Sequence, residues 1–195
     1  PDVLDPRPET ELLVETALEK PFRRVLDLGT GSGCIVISLL LERPEATGVG
    51  TDISEKAVLV AGENAARLRV ADRLILPLSE WYDDIGGRFD LIVSNPPYIA
   101  ADEMPSLQPE VRLHEPRIAL TDEADGLTAY RAIARGALVH LVPGGRVMVE
   151  IGPTQSNDVI DIFSAVGLEN PVVKTDLDGR DRVVWATAPT HEISN

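Results

Sequence analysis

Cysteine occurs once in this chain, at Cys34, so an internal disulfide framework is excluded. The histidines His114, His140 and His191 are scattered without ligand spacing, so no built-in metal site is expected. Both features fit a cytoplasmic protein. Basic residues are scarce as well: 18 Lys and Arg stand against 32 Asp and Glu, a formal net charge of −14. That balance repels a phosphate backbone, because nucleic-acid affinity comes largely from Lys and Arg displacing counterions. A small molecule or a protein is the expected partner, with no direct nucleic-acid binding. No apolar run reaches membrane-spanning length and Pro1 opens no signal-peptide pattern, so no membrane association is expected. Aromatic residues make up only 4%, which leaves Trp81, Tyr98 and Trp185 conspicuous.

What remains is ordinary globular composition in 195 residues, enough for one well-buried domain. A monomer is expected. The chain starts at Pro1 without methionine and reads as the remainder of a longer protein. After a proline-rich opening, Pro8 to Glu11 starts a helix with Pro in its first turn and acids at its positive end. Strands are expected over 24–29, 47–52, 74–78, 88–93 and 146–151, and near 172–175 and 182–186. Helices are expected over 34–41, 55–68, 126–142 and 155–165. The last two strands are joined by Asp176 to Gly179, a hairpin turn signal. The alternation predicts an α/β fold: a doubly wound, seven-stranded, Rossmann-like sheet with an antiparallel strand near one edge.

Gly29, Thr30, Gly31, Ser32 and Gly33 follow the first strand and open a helix, and their glycines permit tight turning and close approach of a ligand. The spacing differs from the G-x-G-x-x-G of dinucleotide binders, and Asp27 stands two residues before the first glycine. An acid there repels a pyrophosphate but not a ligand carrying an ammonium and a sulfonium, which favours S-adenosylmethionine over NAD. Asp52 closes the second strand, 23 positions beyond Gly29 (52 − 29), where a carboxylate reaches ribose hydroxyls. Ser54 is the better N-cap for the helix that follows. Glu80 and Trp81 follow the third strand at the ligand-binding edge; Trp81 suits adenine packing and Glu80 its amino group, with a lid over the core as the alternative for Trp81. Cys34 is read as a small buried hydrophobe.

Asn95, Pro96, Pro97 and Tyr98 follow the fourth strand. Two prolines cannot continue a ladder, so Asn95 Oδ1 and the Pro96 carbonyl become neighbouring acceptors suited to an NH2 group, beside the flat ring of Tyr98. The stretch 99–122, with Pro105, Pro109 and Pro116, reads as a binding loop.

With Pro6 to Glu11, Asp27 to Gly33, Asp52, Glu80-Trp81, Asn95 to Tyr98, Glu115 to Arg117 and Gly179 to Arg182 in this order, the chain resembles the HemK/PrmC family of release factor glutamine methyltransferases. The resemblance covers essentially all of the chain, read as one catalytic domain over 1–195 that lacks the family's N-terminal helical domain. It implies the class I methyltransferase sheet, S-adenosylmethionine held by Gly29 to Gly33, Asp52 and Trp81, and Asn95 touching both cofactor and substrate. The implied reaction moves the cofactor's methyl group to the side-chain nitrogen of a glutamine, in the Gly-Gly-Gln motif of a peptide chain release factor. Glu80 stands where many members carry Asp. Two other readings compete: an adenine-N6 methyltransferase acting on DNA or RNA, which would use the same Asn95 to Tyr98 grip, and a non-catalytic S-adenosylmethionine-binding module. The acidic balance opposes the first and the intact Asn-Pro-Pro-Tyr the second.

Overall fold

The computed structural model describes residues 8–102, 104, 120–121 and 124–190. His114, His191, Pro6 and the Glu115 to Arg117 motif lie outside the described residues. In chain order the elements are α1 (Pro8–Leu18), β1 (Arg24–Leu28), α2 (Cys34–Glu42), β2 (Thr47–Thr51), α3 (Glu55–Arg67), β3 (Leu74–Ile75), β4 (Phe89–Ser94), α4 (Thr128–His140), β5 (Leu141–Glu150), α5 (Ser156–Ala165), β6 (Glu169–Thr175) and β7 (Asp181–Thr187). They form one seven-stranded sheet of order β3-β2-β1-β4-β5-β7-β6. β7 runs antiparallel to both β5 and β6, while the pairs from β3 through β5 are parallel.

Central strands buried on both faces must be apolar throughout, and alternate residues divide them between two cores. Leu26, Leu28, Ile92, Val147 and Val149 pack on one side with Tyr130 and Ile133 of α4 and Val159 and Phe163 of α5. Val25, Leu91, Val93 and Met148 face the other side with Leu13 and Ala17 of α1 and Ile35, Val36 and Leu39 of α2. Ser54 caps α3 by accepting from Ala57 N at 3.3 Å, as expected. The Asp176 turn also forms: its carboxylate accepts from Asp178 N and Arg180 N at 3.0 and 2.9 Å, and Arg182 Nε donates to it at 2.8 Å.

Three strands differ from the sequence reading. β3 pairs over two residues only, because Pro77 offers no N–H to the ladder; pairing resumes as a single bridge between Asp52 and Leu78. β5 starts at Leu141, directly after α4, and absorbs Pro143, Gly144 and Gly145 as an irregularity rather than a turn that precedes it. Gly144 has φ 74°, and a Cβ on Gly145 would stand 2.9 Å from Val142 O, so only glycine lets the ladder continue here. β6 starts at Glu169, extended past a register shift that spans Asn170 and Pro171 on the sheet edge.

Candidate active site

Strand order reverses between β1 and β4, whose connections leave to opposite sides and open a crevice at their C-terminal ends. Asp27 of β1 pairs with Val93 of β4, and Ser94 Oγ donates to Leu28 O at 2.6 Å. The glycine loop and Asn95 therefore leave neighbouring strands at the same level, about 4.8 Å apart as adjacent strands are.

The loop after β1 is held by backbone groups and by the side chains of Asp27, Asp52 and Asn64. Thr30 N donates to Thr51 O at 2.8 Å, Gly33 N to Thr30 O at 2.8 Å, and Asn64 Nδ2 of α3 to Ser32 O at 2.9 Å. Gly29, Gly31 and Gly33 all have left-handed φ, 69°, 55° and 79°. They do different work. A Cβ at Gly29 or Gly31 would meet nothing within 4 Å, which is the open approach a ligand needs, whereas one at Gly33 would lie 2.8 Å from Ile37 Cδ1 and 3.2 Å from Ala61 Cβ. Gly33 serves the packing of α2 against α3.

Asp52 spans the gap between loop and helix. Its Oδ2 accepts from Gly31 N at 2.9 Å and its Oδ1 from Ser54 N at 2.9 Å. Each carboxylate oxygen has a second lone pair left for a ribose hydroxyl. Asp27 lies beneath, wholly buried, and accepts from Thr30 Oγ1 at 2.7 Å through Oδ2. Its Oδ1 has no hydrogen-bond partner among the described residues. Burial pushes its pKa from 3.8 up to about 7; the Thr30 hydroxyl and the Val36 N–H act in the opposite sense, and Asp52 adds to the rise. An unpartnered carboxylate oxygen below an open glycine loop has the chemistry to favour a cation such as the ammonium of S-adenosylmethionine.

Trp81 adopts φ 49°, its carbonyl accepts from Thr51 Oγ1 at 3.2 Å, and its ring packs half-buried against the α4 core. Glu80 beside it is exposed. Cys34, expected to be buried, is half-exposed at the start of α2, with a thiol whose pKa burial and Asp27 raise.

The segment after β4 is held by side chains from far away in the chain. Asn95 is half-buried and its Nδ2 donates to Thr10 Oγ1 of α1 at 3.3 Å; Pro96 is buried. Gln155, at the start of α5, donates from Nε2 to Tyr98 O at 2.8 Å and accepts at Oε1 from Gly152 N at 3.0 Å and from the Tyr130 hydroxyl at 3.2 Å. The Tyr98 ring packs against the α4 core. A Cβ on Gly126 would reach within 2.5 Å of Tyr98 O, so the α4 approach closes on this turn as well. Ile99 then bridges Thr121, and Ile99 N and Ala101 N donate to Leu120 O and Ala124 O at 3.0 and 2.9 Å. Thr10, Glu150, Tyr130 and Gln155 were not anticipated as part of the site. Thr10 lies inside the Pro6 to Glu11 motif, while no local signal marks the other three. Among the described residues no cluster of His, Cys, Asp and Glu could hold a metal.

The fold matches a solved methyltransferase from Pyrococcus furiosus with TM-score 0.72 at 16% identity, covering 97% of this chain and 86% of that one. That likeness shows the class of fold, the seven-stranded α/β sheet of that methyltransferase. A family model described as "Methyltransferase small domain" matches residues 4–110. The release factor glutamine methyltransferase of Cereibacter sphaeroides is 60% identical over 96% of this chain and 68% of its own length. That of Caulobacter vibrioides is 47% identical over 94% of this chain and 65% of its own length. The chain belongs to the release factor glutamine methyltransferase family, and spans about two thirds of the length of these two relatives.

Proposed function

We propose that this chain transfers the methyl group of S-adenosylmethionine to the side-chain amide nitrogen of a glutamine in a peptide chain release factor. The observation that carries this reading is the placement of Asn95 to Tyr98 on the strand next to the glycine loop, locked by Ser94 to Leu28 O at 2.6 Å. An acceptor nitrogen gripped at Asn95 would lie beside a cofactor resting on Gly29 and Gly31, because the two segments leave paired strands.

The bound cofactor supplies an electrophilic methyl carbon on a sulfonium. Gly29 to Gly33 would accommodate it, Asp27 would face its ammonium, Asp52 its ribose hydroxyls, and Trp81 and Glu80 its adenine. A glutamine nitrogen is a weak nucleophile because its lone pair is delocalised into the carbonyl, so the chain's task is orientation. Asn95 Oδ1 and the Pro96 carbonyl accept the two N–H bonds of the amide and turn its lone pair toward the methyl group, while Tyr98 packs on the amide plane. Orientation of this kind contributes about 7 to 11 kcal/mol in the best-aligned cases. As the C–N bond would form, the S–CH3 bond would break with its electron pair returning to sulfur and S-adenosylhomocysteine leaving; the nitrogen, then strongly acidic, would lose its proton late, to water or through Asn95.

The same reading gives a cytoplasmic monomer that acts on protein and not on nucleic acid. The net charge of −14 supports the preference for protein over nucleic acid, and the cytoplasm is where a release factor would be met. The adenine-N6 alternative is disfavoured by that charge and by the identity to relatives named for glutamine methylation. Mass spectrometry of release factor incubated with the protein and isotopically labelled S-adenosylmethionine tests the proposal. One added methyl on a glutamine is expected; unmodified release factor alongside a labelled nucleic acid would overturn it.

A further inference from the structure

Asn95 can orient an acceptor only if its own amide points the right way. The two ends of a side-chain amide have nearly the same shape, and reversal would present an NH2 group where an oxygen is required. Something must therefore choose between them. Thr10 Oγ1 donates to Glu150 Oε2 at 2.9 Å, and Glu150, at the end of β5, is 1% exposed. A threonine hydroxyl carries one proton, and Thr10 gives it to Glu150 Oε2. Thr10 Oγ1 can then only accept from Asn95, at 3.3 Å. The end of the Asn95 amide that faces Thr10 must be Nδ2, which leaves Oδ1 on the opposite side.

We infer that Thr10 and Glu150 are positioning residues that fix the Asn95 amide with its oxygen toward the acceptor; the inference rests on the proposed glutamine reading for its kinetic consequence, but not for the relay itself. Their own placement is rigid. α1 lies along β5, and Arg146, four residues before Glu150 (150 − 146), donates from Nη2 to Ala17 O and Lys20 O at 3.1 Å each. Four strand residues span about 13 Å, and the seven helical residues from Thr10 to Ala17 about 10.5 Å. Two side chains of one strand thus hold α1 near both ends, and the first turn is set beside Asn95. The Pro6 to Glu11 motif, which composition and periodicity leave as a mere helix start, acquires a chemical reason for its threonine.

The test uses wild-type protein, Thr10→Val, Thr10→Ser, and the Asn95→Ala and Asn95→Ala/Thr10→Val pair, with folding checked for each. NMR of the 15N-labelled Asn95 side-chain NH2 reads the relay without any substrate. One of its two protons should be shifted and protected from exchange in wild type and Thr10→Ser, and not in Thr10→Val. Single-turnover methylation of release factor reads the consequence. Thr10→Val should slow it about tenfold, the worth of one hydrogen bond, while Thr10→Ser stays within about threefold. On the Asn95→Ala background the same Thr10→Val change should cost less than about twofold, because the group it positions is gone. An Asn95 NH2 signal like that of a solvent-exposed amide in wild type overturns the relay without need of a variant. Equal losses on both backgrounds, or Thr10→Ser as slow as Thr10→Val, overturn it too. A wild-type protein inert toward release factor would sink the glutamine reading instead, and the NMR result would still decide the relay.

Discussion

The two halves of the site are built in opposite ways. The cofactor half is local: every described contact that shapes the loop over 29–33 comes from residues between Asp27 and Asn64, and most come from backbone groups. The acceptor half is remote. Asn95 is held from a residue 85 positions away, Tyr98 from one 57 away, and the hydroxyl behind Asn95 from one 140 away. A cofactor common to many enzymes can be met by a self-contained loop, whereas aiming one nitrogen at one carbon needs side chains from several elements to agree on a single geometry.

The largest effect expected from breaking this contrast lies under the cofactor half. Asp27 has a pKa of about 7 when folded against 3.8 when unfolded, so between roughly pH 4 and 7 the folded state binds the extra proton. Stability must then fall as pH rises through that window, the reverse of the usual carboxylate, by up to about 1.4 kcal/mol per pH unit and roughly 4 kcal/mol in all. Asp27→Asn should abolish this decline. Denaturant melts of both proteins from pH 4 to 8 measure the difference, in which all other titrating groups cancel; parallel curves would mean that Asp27 is ionised throughout.

Next in size is Asn95→Ala, expected to lower kcat and kcat/KM together by about 100-fold, as for loss of one preorganised hydrogen bond in a water-excluded site. A rise in KM with kcat near wild type would make Asn95 a docking residue and remove the orienting role. Asp52→Ala should weaken S-adenosylmethionine binding by about 1.5 to 3 kcal/mol, the range for charged hydrogen bonds, because it removes the ribose partner and frees Gly31 N together. Calorimetry on the folded variant reads it. Gln155→Leu should show the smallest change in cofactor affinity, within about twofold, while costing about 1 to 2 kcal/mol of stability and slowing methyl transfer, since Tyr98 O and the Gly152 N–H lose their partner. Equal damage to cofactor affinity would erase the distinction between the halves.

The same contrast explains what could be read from the sequence. Glycine spacing, Asp27, Asp52 and the Ser54 cap are short-range signals, and the strand-loop-helix pattern around them is visible within thirty residues or so. The doubly wound class of the sheet followed from alternation and the antiparallel pair from its hairpin turn, while the order of the strands became visible only in the structure. The bulge through Pro143 to Gly145 was not legible, because a Pro-Gly-Gly run reads as a turn until Ala188 N and Pro189 O are seen to satisfy the free groups around it. Glu150 and Gln155 escaped for a related reason. Each sits at an ordinary polar position, and only the parallel packing of β4 against β5 brings them under Asn95 and Tyr98. Of the two readings of Trp81, the packing of its ring on the core is the one the described contacts bear on.

The hydrogen bond from Thr10 to Glu150 also bears on how the molecule comes into being. It joins residues 140 positions apart, so it cannot close until β5 has been synthesised and docked against β4. Long-range closures of this kind form late and slowly relative to local ones. During synthesis β1 and β2 and the glycine loop between β1 and α2 are complete in sequence long before that closure is possible. The contacts that hold Asn95 thus wait for the last third of the chain, and so does the core of β1, whose Leu26 and Leu28 pack on Tyr130, Val147 and Phe163.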